Sequence, residues 1–161
     1  MTMDASYISI AAHALSELVL AMRMSAINAE QMRVAVAASK RGESAKKAAR
    51  DFLKTTYYRS WSRAQLNNTE YAPMLALLIF AVKYRADKEQ RDTTLQEKLA
   101  AVASVVFSYM FLYAAANQGS IDHKNMKPGS AGMSPLRPVG ALGRYAAMGV
   151  LIYQLIRRRS V

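Results

Sequence analysis

A chain of 161 residues has the length of one domain. It has no cysteine and only two histidines, far apart in sequence. That excludes disulfides, thiolate metal sites and a cysteine nucleophile, and argues against a zinc centre. Lys and Arg number 22 against 11 Asp and Glu, a net charge of +11, which suits nucleic acid or an anionic membrane surface. The basic residues flank apolar blocks and form no basic stripe interleaved with aromatics. This favours the membrane and leaves a nucleic-acid-binding bundle as a rival that detergent-dependent extraction would remove.

The chain reads as all-α, with helices expected over about 6–36, 60–86, 94–116 and 136–158 of a single transmembrane domain, 1–161. The first apolar block, Tyr7 to Met22, contains His13 and Glu17, four residues apart on one helix face. As a charged pair they could stabilise trimer packing, or they could shuttle a proton. The opening "MTMDASYISI" lacks a basic segment and a clean small-residue cleavage site, so no cleaved signal peptide is expected. Asn28, Gln31 and Arg33 follow on the same expected helix. The connection Lys40 to Arg63 holds eight basic residues and two acidic, a net +6. The positive-inside rule puts it in the cytosol, with the third connection on the same side; the C-terminal Arg157 to Arg159 argues the opposite way.

The second apolar block, Tyr71 to Val82, is entered through "RAQLNNTEYAP". Arg63, Asn67 and Glu70 fall on one helical face over two turns. Ionisable groups at membrane depth are costly unless paired or met by a ligand. The set is therefore either a structural pair or a polar pocket for a zwitterion. The third block, Leu99 to Ala116, is free of charge, and the fourth, Pro138 to Ile156, holds Arg144. Both approach the roughly 20 residues that span a bilayer core. The connection between them, Asn117 to Ser134, is rich in Gly, Ser and Pro and reads as a loop.

"RAQLNNTEYAP" resembles the signature of the membrane-associated eicosanoid and glutathione metabolism family (MAPEG), Arg-Ala-x-x-Asn-x-x-Glu at the start of the second transmembrane helix. Arg63, Ala64, Asn67 and Glu70 match it. Gln65, Tyr71 and Pro73 look like the leukotriene C synthase branch. The resemblance implies a four-helix membrane homotrimer with no metal. Glutathione, the co-substrate, would lie between subunits near the cytosolic face and attack apolar electrophiles or lipid hydroperoxides as a thiolate. It implies that Arg63 takes a carboxylate of glutathione, Asn67 its peptide part and Glu70 its ammonium, with Gln65 and Tyr71 as secondary contacts. Tyr109 and Tyr113 match the family's paired tyrosines; Val106 stands where an arginine is frequent. Arg137 matches the catalytic arginine, with Arg144 as the alternative, and Arg33 matches a contact across the subunit boundary. Membrane lipid is the implied surrounding; the absence of a transit peptide argues for the endoplasmic reticulum, with a mitochondrial membrane as the alternative. The rival within this resemblance is a non-catalytic lipid-binding or scaffold subunit of a larger membrane complex.

Overall fold

The structure, a computed structural model, describes residues 4–117 and 136–157. The expected loop Asn117 to Ser134 and the basic Arg158 and Arg159 therefore lie almost wholly outside the described residues. The described residues form five helices: α1 (Ala5–Lys40), α2 (Ala45–Leu53), α3 (Thr56–Lys88), α4 (Leu95–Asn117) and α5 (Leu136–Ile156). The all-α reading is met; α1 and α3 are longer than the sequence suggested, and α4 matches its expected length. Among the described residues three helices are long and apolar enough to cross a membrane: Ala5–Lys40, Leu95–Ala116 and Leu136–Ile156. The expected span on α3 falls short of that standard. Its apolar stretch, Tyr71 to Val82, covers about 18 Å at 1.5 Å per residue, against a hydrocarbon core of about 30 Å.

The helix ends are set by local chemistry. The Asp4 carboxylate accepts from the Ser6 amide at 2.9 Å and starts α1. Gly42, at φ 75°, ends it: Glu43 donates to the Ala38 carbonyl at 2.9 Å and Gly42 to that of Ser39 at 3.0 Å, the Schellman arrangement. Thr94 and Glu97 cap α4 reciprocally. The Thr94 amide donates to Glu97 at 2.6 Å and the Glu97 amide to the Thr94 hydroxyl at 3.3 Å. Arg85 of α3 donates to the carbonyls of Gln154, Leu155 and Arg157, closing the end of α5. In the turn after α3, hydrogen bonds from Arg91 and Arg85 hold the Glu89 carboxyl down to about 2.

The segment expected as a loop between the first two long helices folds as α2. Ser44 caps it. Its half-buried face, Ala48, Ala49, Phe52 and Leu53, turns inward, while Lys46, Lys47, Arg50 and Lys54 face out. Gln31 of α1 donates to the Ala49 carbonyl at 3.3 Å, fixing the two side by side. α1 thus forms one long antiparallel hairpin with α2 and α3. The hairpin of α4 and α5 packs against it: α4 runs beside both α1 and α3, and α5 beside α3. Beyond the end of α4, α1 and α2 continue as a strongly basic projection.

The packing of the first part of α1 is inverted relative to a water-soluble helix. Its inward face there is Ser6, Ser9, His13 and Ser16, each no more than 3% exposed, before apolar Leu20, Met24 and Ile27 continue it. Its outward face is Ile8, Leu15, Leu18, Val19 and Met22, all at least half exposed. Polar side chains inside and large apolar ones outside is the pattern of a helix solvated by lipid.

Two apolar clusters fill the bundle. One contains Leu75, Ile79, Val82, Ala100, Ala101 and Leu151. The other contains Leu20, Ala64, Phe111, Leu112 and Ala115. Small residues bring α4 and α5 together beside the second. A Cβ on Gly140 would sit 2.7 Å from the Phe111 nitrogen and 2.8 Å from the Phe107 carbonyl oxygen. These are backbone atoms and cannot swing away. Gly140→Ala is expected to force the helices apart and destabilise the bundle by about 1–3 kcal/mol, read as a lower unfolding midpoint in detergent. An unchanged midpoint would show that the helices separate freely.

Candidate functional site

Between the apolar clusters lies a polar layer to which all four long helices contribute. His13 Nε2 is 3.0 Å from Ser104 Oγ. Asn68 donates to Ser16 Oγ at 3.0 Å and to the Glu17 carboxylate at 2.8 Å. The Thr69 hydroxyl reaches the other Glu17 oxygen at 3.4 Å. Arg144, 1% exposed, enters from α5. Its guanidinium carbon lies 4.0 Å from the Tyr71 ring centroid and 4.6 Å from that of Phe111. The Tyr71 and Tyr145 hydroxyls are 2.8 Å apart, with their rings edge to face.

His13 and Glu17 do not bond to each other within the chain. Each bonds to a different helix, because Ser104 of α4 faces His13 while Asn68 and Thr69 of α3 face Glu17. Sequence reasoning singles out Asn67, yet its neighbour Asn68 is the buried asparagine that joins α3 to α1. Ser16, Ser104, Ser108 and Tyr145 also escape it. The signal that marks them is small polar residues at helical spacing on one face: His13 with Ser16, and Ser104 with Ser108.

Arg63, Asn67 and Glu70 do share the face expected of them, on the side of α3 turned away from α1. Arg63 and Glu70 are exposed, while Ala64 between them is fully buried. The structural bridge through Asn67 does not form. Asn67 donates instead to the Arg63 carbonyl at 2.8 Å, within the helix. Gln65 is half-buried on the other side of α3. Tyr71 sits between the two regions, bonded to Tyr145 and beneath Arg144. The face continues along α3 as exposed Met74, Leu77 and Phe80.

Tyr109 and Tyr113 lie elsewhere, on the α1–α4 side. The Tyr109 hydroxyl donates to the Ala12 carbonyl at 3.0 Å. Both tyrosines line an apolar groove of about 370 Å³ with Leu15, Val19 and Trp61. Val106 is half exposed beside them. Arg137 opens α5, half-buried, 5.7 Å from the Phe111 ring centroid. Arg33 is exposed on the basic projection, as is Asn28. One chain therefore brings Arg63, Asn67, Glu70 and Tyr71 to one side and Tyr109 and Tyr113 to the other. Among the described residues no group of acidic or histidine side chains is arranged to hold a metal ion. No protein-family model, curated protein or solved structure matches the chain.

Proposed function

We propose that this protein is a membrane glutathione S-transferase with peroxidase capability, working as a homotrimer in the endoplasmic reticulum membrane with its basic projection in the cytosol. The observation that carries the reading is the surface Arg63–Asn67–Glu70. A cation, an amide and an anion stand on the outer face of a helix whose next turns are exposed Met74, Leu77 and Phe80. Unpaired charges beside a lipid-facing surface need a covering subunit or a ligand with opposite charges. Glutathione, with two carboxylates and one ammonium, supplies them. A neighbouring subunit, laid against this face, would bring the tyrosines of its own α1–α4 side to the ligand.

In this reading Arg63 holds a carboxylate through its planar fork, Asn67 the peptide and Glu70 the ammonium. Arg137 stands beside the sulfur and favours its anion. The thiolate attacks an electrophilic carbon, forming the carbon–sulfur bond as the leaving group departs or the double bond takes up a proton. Towards a hydroperoxide it attacks oxygen, and a second glutathione completes the disulfide while alcohol and water leave. The protein positions the thiol, excludes water and supplies positive charge.

Ultraviolet difference absorbance of detergent-purified protein titrated with glutathione at neutral pH tests this directly. A saturable thiolate band that Arg137→Ala abolishes is the expected result. A band surviving that substitution moves the catalytic role to Arg144 or another cation. Absence of both band and binding overturns the transferase reading. The apolar groove at Tyr109 and Tyr113 then favours the second reading, a lipid-binding scaffold subunit without glutathione chemistry.

A further inference from the structure

The apolar groove on the α1–α4 side ends in a cation. Leu20 and Leu112 are buried at its base, and Leu15, Val19, Tyr113 and Trp61 line it. Leu15, Val19 and Arg23 follow one another at i, i+4 and i+8, so Arg23 continues the groove wall by one turn towards the basic projection. Trp61 belongs to both features. It lines the groove, and the Arg23 guanidinium carbon lies 5.0 Å from its ring centroid. Arg23 also donates to the Tyr57 hydroxyl at 3.0 Å. These two contacts hold the guanidinium at the mouth of the groove. Arg23 is exposed and makes no ion pair among the described residues.

Tyr57, Trp61 and Arg23 together have the composition of a membrane–water interface. From Arg23 to Leu15 is about 12 Å along α1, close to the roughly 15 Å of hydrocarbon in one leaflet. An apolar cleft of leaflet depth, with a fixed positive charge at headgroup level, matches an amphiphile with an acyl chain and an anionic head. A planar guanidinium takes a phosphate through parallel N–H donors. The connection Lys40 to Arg63, which contains Tyr57 and Trp61, carries eight basic residues against two acidic. That favours a head of net negative charge over a zwitterionic one.

We propose that this groove is a binding site for one anionic bilayer phospholipid, with an acyl chain along Leu15, Val19 and Tyr113 and its phosphate on Arg23. The occupant is a lipid of the surrounding membrane, not a substrate. Neither glutathione nor Arg137 takes part, so the site stands or falls apart from the transferase reading.

Trp61 is the sole tryptophan of the chain, so its fluorescence reports on the groove. Delipidated protein in detergent, free of glutathione, is titrated with phosphatidylglycerol whose acyl chains are brominated, and separately with phosphatidylcholine carrying the same chains. Bromine quenches tryptophan on close approach. Quenching by phosphatidylglycerol should saturate, at a several-fold lower mole fraction than phosphatidylcholine requires. Arg23→Gln should raise the half-saturating phosphatidylglycerol fraction about tenfold, the loss of a hydrogen bond between charged groups. The exposed Arg50→Gln control on α2 should leave it unchanged. Val19→Phe, which fills the groove and keeps Arg23, should remove the saturable component. Both substituted side chains are exposed, so neither change threatens the fold. Quenching that only rises in proportion to lipid overturns the proposal and leaves the groove to a neighbouring copy. Equal half-saturation by the two lipids also overturns it, as does phosphatidylglycerol quenching unmoved by Arg23→Gln.

Discussion

Arg91→Met is expected to destabilise the protein more than Glu97→Gln, and the double substitution less than Arg91→Met alone. Glu97 is 2% exposed. Arg91 grips it through both terminal nitrogens, each at 2.9 Å. Removing the arginine leaves a carboxylate buried beside an apolar helix, a situation that costs about 3–5 kcal/mol in buried pairs. The Thr94 amide, still donating to that carboxylate, holds the loss near the lower end of the range. Removing the acid is milder, because Arg91 keeps Glu89 at 2.7 Å and is partly exposed. Glutamine at 97 also preserves an acceptor for the Thr94 amide. Unfolding midpoints of the two single variants and the double, in one detergent, decide the matter. Equal losses in the single variants would mean that the pair is solvated and the cap alone matters.

The pair also illustrates what could be read from the sequence. Thr94-x-x-Glu97 has capping-box spacing, so the start of α4 is legible at the residue where the structure begins it. The charge-free run Leu99 to Ala116 and the fourth apolar block are equally legible as long helices. α2 is not, because four of its nine residues are charged and it lies within the basic connection. Its helicity depends on Ala48, Ala49, Phe52 and Leu53 meeting α1, a tertiary fact. The polar layer is hidden for another reason. Serines at 16, 104 and 108 are individually uninformative, and only packing four helices at one level turns them into a layer. Conversely, the face carrying Arg63 and Glu70 follows from helical spacing alone, and the structure places it as that spacing demands. The separation of this face from Tyr109 and Tyr113 depends on the order of helices around the bundle, which no local pattern encodes.

That separation sharpens the other large prediction. If Arg63 and Glu70 bind the two ends of a zwitterion, Arg63→Leu should weaken glutathione binding roughly 10- to 100-fold, corresponding to about 1.5–3 kcal/mol for a charged hydrogen bond. Glu70→Gln should lose a similar amount. The informative variant exchanges the charges, Arg63→Glu with Glu70→Arg. A pair serving only to neutralise itself or a partner copy tolerates the exchange, since attraction does not depend on which residue carries which sign. A ligand site does not tolerate it, because the exchange presents a carboxylate to a carboxylate and a cation to an ammonium. Seven residues separate the two positions by about 10.5 Å along the helix, a span that the charged ends of a small peptide can match. Calorimetric titration of glutathione into the exchanged variant, beside its thermal midpoint, separates the two roles. Lost binding with a retained midpoint assigns the face to the ligand. Retained binding removes Arg63 and Glu70 from the site and leaves them as interhelical or intersubunit contacts.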